Sequence, residues 1–229
     1  MLQITGLTAG YKDTRVVDGV DLSVPDGQMV AILGRNGVGK TTLLKSLFGL
    51  CRVFSGSLTL DGAPMELGRP EKMARAGLSF MPDDRGVFAS LTVEQNLRLA
   101  RRRDYTPPVD VRELFPLLTE RAGQAAGTLS GGQKQQVGIA RAILAGQRLI
   151  AIDEFSQGLQ PSIAQTALEA LRGLAATGVT VVLVEQSPEL PLRYCDRITG
   201  MLKGRIVFDE PVATLGAGSD VLTDLLVVG

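Results

Sequence analysis

The stretch Gly34-Arg-Asn-Gly-Val-Gly-Lys-Thr41 has the spacing GxxxxGK[ST], whose chemistry is phosphate binding. Gly34, Gly37 and Gly39 let the backbone wrap tightly, so successive N–H groups point at phosphate oxygens. A helix opening near Lys40 would add its positive dipole end. Lys40 is expected on the β- and γ-phosphates and the Thr41 hydroxyl on Mg²⁺, with Asn36 and Thr42 completing the cradle. A second feature is the acidic pair Asp153-Glu154, directly after the apolar run Leu149–Ile152. Asp153 suits Mg²⁺ held through waters, and Glu154 suits a base that orients or deprotonates an attacking water. The third is Leu129-Ser-Gly-Gly-Gln133. Ser130, Gly131, Gly132 and Gln133 form a helix start with unsatisfied N–H groups, a hydroxyl and no bulk in the way, a second anion site. Singly, an acidic pair is often a solvated loop and Ser-Gly-Gly a capped helix. Both in one chain with the phosphate loop favour a nucleotide site.

The elements needed to place these groups are visible. Met29–Leu33, Leu149–Ile152 and Val179–Val184 are apolar on both faces, as strands of a covered parallel sheet are. Helical patterns follow the first two, over Thr41–Gly49 and Ser162–Leu174, which gives an α/β fold. A ligand site in such a sheet lies at the carboxyl ends of the strands, where the phosphate loop and the acidic pair fall. Gln3–Leu7 and Val16–Val24 alternate like antiparallel strands. Arg197–Leu202 and Arg205–Asp209 do the same around the turn Lys203-Gly204. From Thr92 to Leu144 the pattern is helical, broken at Pro107-Pro108 and Pro116. A helical subdomain inserted at about 90–145, within one domain over 1–229, is the expected organisation.

Composition narrows the functions. The chain has 229 residues, 45% hydrophobic and 21% charged, with 24 Lys plus Arg against 24 Asp plus Glu. A balanced charge argues against a nucleic-acid partner. There is no histidine, which removes imidazole catalysis and histidine metal ligation. Cys51 and Cys195 lie far apart with no CxxC spacing and are expected to be buried thiols. No apolar run reaches the length of a membrane span and no signal segment is evident, so a cytoplasmic location is expected.

With LSGGQ lying between the phosphate loop and the acidic pair, the sequence resembles the ATP-binding cassette family over essentially its whole length. The resemblance implies a P-loop NTPase (RecA-like) core with an N-terminal antiparallel β-subdomain and the inserted helices. It implies ATP and Mg²⁺ as ligands. It also implies a head-to-tail pair of cassettes, the phosphate loop of one facing the LSGGQ of the other, so that ATP closes the pair and hydrolysis opens it. Tyr11 matches the aromatic that stacks on adenine.

Three positions depart from the family pattern. Gln186 stands where most members have histidine against the γ-phosphate, and it is expected to support hydrolysis as a neutral donor. Asp83, or Asp84 if the alignment shifts by one, stands where a glutamine contacts Mg²⁺ and the attacking water. Phe155 stands where proline usually follows the glutamate, before the loop Ser156–Ser162 that couples the two sites. The Val184-Glu-Gln186, Gly86-Val-Phe88 and Gly158-Leu-Gln-Pro-Ser162 segments resemble the shorter cassette of importers of branched-chain amino acids, urea and short amides. Such systems imply a second cassette, the same or different, two membrane permease subunits and a substrate-binding protein, with this chain on the cytoplasmic face. By resemblance the loop Asp83–Ser90 contacts the membrane subunit, so charge reversal at Arg85 is expected to uncouple transport and spare basal ATPase. A regulatory cassette of low turnover, a soluble cassette ATPase outside transport and the cassette of an exporter are the alternatives. The interval from Lys40 to Leu129 has no coiled coil or zinc module, which disfavours the soluble one.

Overall fold

The computed structural model describes residues 1–215 together with Leu222 and Leu225; the expected unit over 1–229 extends past them. The elements run β1 (Leu2–Tyr11), β2 (Thr14–Val24), β3 (Met29–Leu33), α1 (Lys40–Leu47), β4 (Arg52–Leu60), β5 (Ala63–Met65), α2 (Pro70–Arg75) and β6 (Leu78–Met81). They continue with α3 (Val93–Ala100), α4 (Val111–Leu114), α5 (Leu117–Glu120), α6 (Gly131–Ala145), β7 (Leu149–Ile152), α7 (Pro161–Ala176), β8 (Thr180–Glu185), α8 (Glu189–Tyr194), β9 (Arg197–Leu202) and β10 (Arg205–Pro211).

Two sheets result. One is antiparallel, in the order β2-β1-β4-β5; the other has the order β10-β9-β3-β8-β7-β6. In the second, β3, β6, β7, β8 and β9 pair in parallel and β10 closes as a hairpin on β9. Every residue of β3, β7 and β8 is buried, as strands covered on both faces require. The β9–β10 turn has Lys203 at φ +46 and Gly204 at φ +81, the left-handed pair that matches strand twist in a tight hairpin.

One apolar core lies between the two sheets and takes in Leu43, Leu44 and Leu47 of α1. The other fills the opposite face with α3, α6 and α7. Because β6 and β7 are adjacent parallel strands, the helical segment between them is a crossover enlarged by insertion. The expected helical breaks are present: Pro107-Pro108 lies between α3 and α4, and Pro116 caps α5. This topology puts the phosphate loop, the acidic pair and Gln186 at the carboxyl ends of three neighbouring strands, β3, β7 and β8.

Candidate functional site

The phosphate loop joins β3 to α1. A Cβ at Gly34 would sit 2.4 Å from the Met201 carbonyl oxygen, and Gly39 has φ +112, so both need glycine. Asn36, Gly37, Gly39, Lys40, Thr41 and Thr42 line a cleft of about 320 Å³ with Tyr11, Asp153 and Glu154. Lys40 is buried and its Nζ donates to the carbonyls of Gly34 at 2.6 Å and Arg35 at 2.9 Å. Burial lowers its pKa, and the charges of Asp153, Glu154 and Glu185 oppose that shift. The ammonium is thus a desolvated cation facing acids, and phosphate oxygens would add the anionic partners it lacks. Tyr11 ends β1 and is 45% exposed, open to a planar ring.

Asp153 is 0% exposed, and neither of its carboxylate oxygens has a hydrogen-bond partner. Burial pushes its pKa above the ordinary 3.8; Asp83 and Glu154 push the same way, while the nearby Thr41 hydroxyl and Lys45 oppose them. The Thr41 hydroxyl faces Asp153 without reaching hydrogen-bond geometry. A buried, unpaired carboxylate beside a hydroxyl fits Mg²⁺, which keeps its waters and takes one or two protein oxygens plus phosphates. Among the described residues no group of three or more acidic, cysteine or histidine side chains forms a metal cluster of its own.

Asp83 does not line the cleft. Its Oδ1 accepts from Lys45 Nζ of α1 at 3.0 Å, and as a direct Mg²⁺ ligand it would have to leave that pair. The Lys45 pairing was not legible in the sequence. Asp84 accepts from the Gly86 N–H at 2.9 Å, closing its own turn.

The Asp153 arrangement predicts a trade of stability against function. A carboxylate with a raised folded-state pKa binds its proton more tightly when folded, so its ionisation destabilises the fold. Asp153→Asn is therefore expected to raise the metal-free Tm at pH 7, by a few degrees for ~1 kcal/mol. The gain should shrink as pH falls through the raised folded-state pKa and vanish below the ordinary 3.8, where the carboxyl is protonated in both states. Thermal melts in chelator across pH check this, and a lower Tm at pH 7 would contradict it.

Glu154 adopts φ +49, a left-handed conformation costing ~1–2 kcal/mol for a residue with a Cβ. Gln135 Nε2 donates to the Glu154 carbonyl at 3.0 Å and the Phe155 carbonyl at 2.7 Å. The Glu185 carboxylate accepts from the Ser156 N–H at 2.8 Å and its hydroxyl at 3.1 Å. Burial raises the Glu185 pKa, the bonds from Ser156 and the Gln186 N–H pull it back, and Glu154 adds to the rise. Such bonds are worth ~0.5–1.5 kcal/mol each when neutral and more when charged, enough to offset the strain. Phe155 is fully buried in the helical-side core, so packing fixes the chain where proline is usual. Gln186 Nε2 reaches Glu154 Oε1 at 3.4 Å.

The LSGGQ segment forms a capping box: the Ser130 hydroxyl accepts from the Gln133 N–H, and Gln133 Oε1 accepts from the Ser130 N–H. The Gln133 side chain is therefore committed to its own helix. The Ser130 hydroxyl keeps a proton to donate outward. A Cβ at Gly132 would lie 2.3 Å from the Gly158 carbonyl. None of Ser130, Gly131, Gly132 or Gln133 lines the cleft of its own chain.

The ABC transporter family model matches residues 17–157. The chain belongs to the ABC transporter family. The cassette is 38% identical to the high-affinity branched-chain amino acid transport ATP-binding protein BraG of Pseudomonas aeruginosa, with 94% of each chain covered. It is 33% identical to a probable branched-chain amino acid transport ATP-binding protein, LivF of Archaeoglobus fulgidus, over 91% of each. Its fold superposes on a dimeric ATP-binding cassette solved after hydrolysis with ADP and Pi at a TM-score of 0.81, with 23% identity, 93% of this chain and 99% of that one covered. The cassette is an ATP-binding, ATP-hydrolysing subunit. Among the described residues no helix is long and apolar enough to cross a membrane.

Proposed function

We propose that the cassette binds Mg·ATP at the carboxyl ends of β3, β7 and β8 and hydrolyses it to ADP and phosphate. The hydrolysis drives a multi-subunit importer on the cytoplasmic face of the membrane, and the names of the relatives favour branched-chain amino acids as cargo; urea or short amides fit the same cassette type. The observation that carries this reading is the convergence of Lys40, Asp153 and Glu154 on one cleft, with Gln186 in contact with Glu154.

Tyr11 stacks on adenine. The loop N–H groups, Lys40 and the start of α1 hold the phosphates. Thr41 and Asp153 would hold Mg²⁺, which would neutralise phosphate charge. Glu154 takes the proton of the attacking water, and Gln186 donates to its carboxylate and fixes its direction. Ser130 and the N–H groups of Gly131 and Gly132, supplied by a second cassette, close over the γ-phosphate. A low-turnover regulatory role is a second reading, favoured only by the pairing of Asp83 with Lys45.

The permease docks in the groove of about 540 Å³ between the core and the helical insertion, where Leu50, Leu99, Arg85, Arg101 and Arg141 meet. Leu99 is 62% exposed, large for an apolar side chain without a covering partner. Leu99→Glu is expected to abolish co-purification with the membrane subunits and leave basal ATPase unchanged. Retained co-purification would place the interface elsewhere.

A further inference from the structure

Glu154 and Arg85 are both non-glycine residues in the left-handed region, at φ +49 and +71, and one side chain joins them. Gln135 is 1% exposed. Its Oε1 accepts from Arg85 Nε at 3.2 Å, while its Nε2 serves the successive carbonyls of Glu154 and Phe155. An amide can point either way, and the Arg85 donor sets which end faces inward. On the other side of the base, Glu185 takes both donors of Ser156. A carboxylate with two acceptor oxygens and no donor suits that double contact. Glu185 immediately precedes Gln186, which touches the Glu154 carboxylate itself.

We propose that Gln135 and Glu185 are positioning residues for Glu154. Nothing in the local sequence fixes the left-handed turn, since no glycine stands at 154 and no proline at 155. Gln135 on the signature helix and Glu185 at the end of β8 grip the peptide units that follow the base. Together they set where its carboxylate stands over the phosphates, and a misplacement of about an ångström costs such a group about 100-fold in rate. Arg85 orients Gln135, so charge reversal there also lowers basal ATPase. This replaces the expectation, drawn from resemblance, that basal activity would be spared. The inference rests on Glu154 being the base.

The test compares Glu185→Gln and Gln135→Glu, each alone and combined with Glu154→Gln. It reads kcat, the Kd for Mg·ATP, Tm, and the residual single-turnover rate. Each single variant is expected to lose ~10–100-fold in kcat with the Kd for ATP within about 2-fold. In the Glu154→Gln background neither should lower the residual rate further, because groups acting as one unit are not additive. Should Glu185→Gln not fold, Ser156→Ala removes only the hydroxyl contact and should still lower kcat several-fold.

Unchanged kcat in the single variants, with Glu154→Gln inactive, overturns the positioning role and leaves the base standing. Weakened ATP binding, or rate losses that persist in the Glu154→Gln background, would mark these residues as structural and also overturn it. Full turnover by Glu154→Gln overturns the base and the positioning role together.

Discussion

Glu154→Gln is expected to turn over ATP at least ~100-fold more slowly than the unmodified cassette while binding it at least as well. The amide has the same shape and keeps an oxygen for Gln186, whose donor lies 3.4 Å from Oε1. It cannot accept the proton of an attacking water. Removing one of the acids facing Lys40 also removes repulsion toward the phosphates, so affinity should hold or rise. Phosphate release at saturating Mg·ATP gives the rate, and equilibrium titration gives the affinity. A variant that keeps half of the normal rate would exclude Glu154 as the base.

Lys40→Ala is expected to lose ~100–1,000-fold in affinity for ATP, from charge-assisted bonds worth ~1.5–3 kcal/mol each. The same change leaves the Gly34 and Arg35 carbonyls without their donor. It also leaves Asp153, Glu154 and Glu185 without a common cation, so some loss of Tm accompanies it. Binding of AMP separates the two effects. AMP reaches Tyr11 but offers no β- or γ-phosphate, so its affinity should be preserved. Equal losses for ATP and AMP would mean that the loop had collapsed and that Lys40 makes no specific phosphate contact.

The placement of Gly34–Thr41 before α1, of Ser130–Gln133 at the start of α6 and of Asp153-Glu154 after β7 was legible because each segment is contiguous and has a local backbone purpose. β3, β7 and β8 were legible because burial on both faces leaves an unbroken apolar run. β4 was not, since only Leu58 and Leu60 of Arg52–Leu60 are buried, and polar residues hide an edge-like strand. β6 is four residues long, too short to show a period. The residues that hold Glu154 were invisible for another reason. Gln135 lies 19 positions before it, and Glu185 lies 29 positions after Ser156, so only the packing of α6 and the order of β7 and β8 bring them together. The Lys45–Asp83 pair spans 38 positions and has no motif. Arg85, read from the sequence as part of a surface contact, also donates to Gln135, 50 positions away and with no motif to signal it.

The most direct test is the steady-state ATPase rate of the purified cassette across a series of protein concentrations, with and without Glu154→Gln. A site completed by the LSGGQ of a second molecule predicts a rate that rises more steeply than concentration and vanishes in the variant. A specific activity independent of concentration and unchanged by Glu154→Gln would contradict both the shared site and the base.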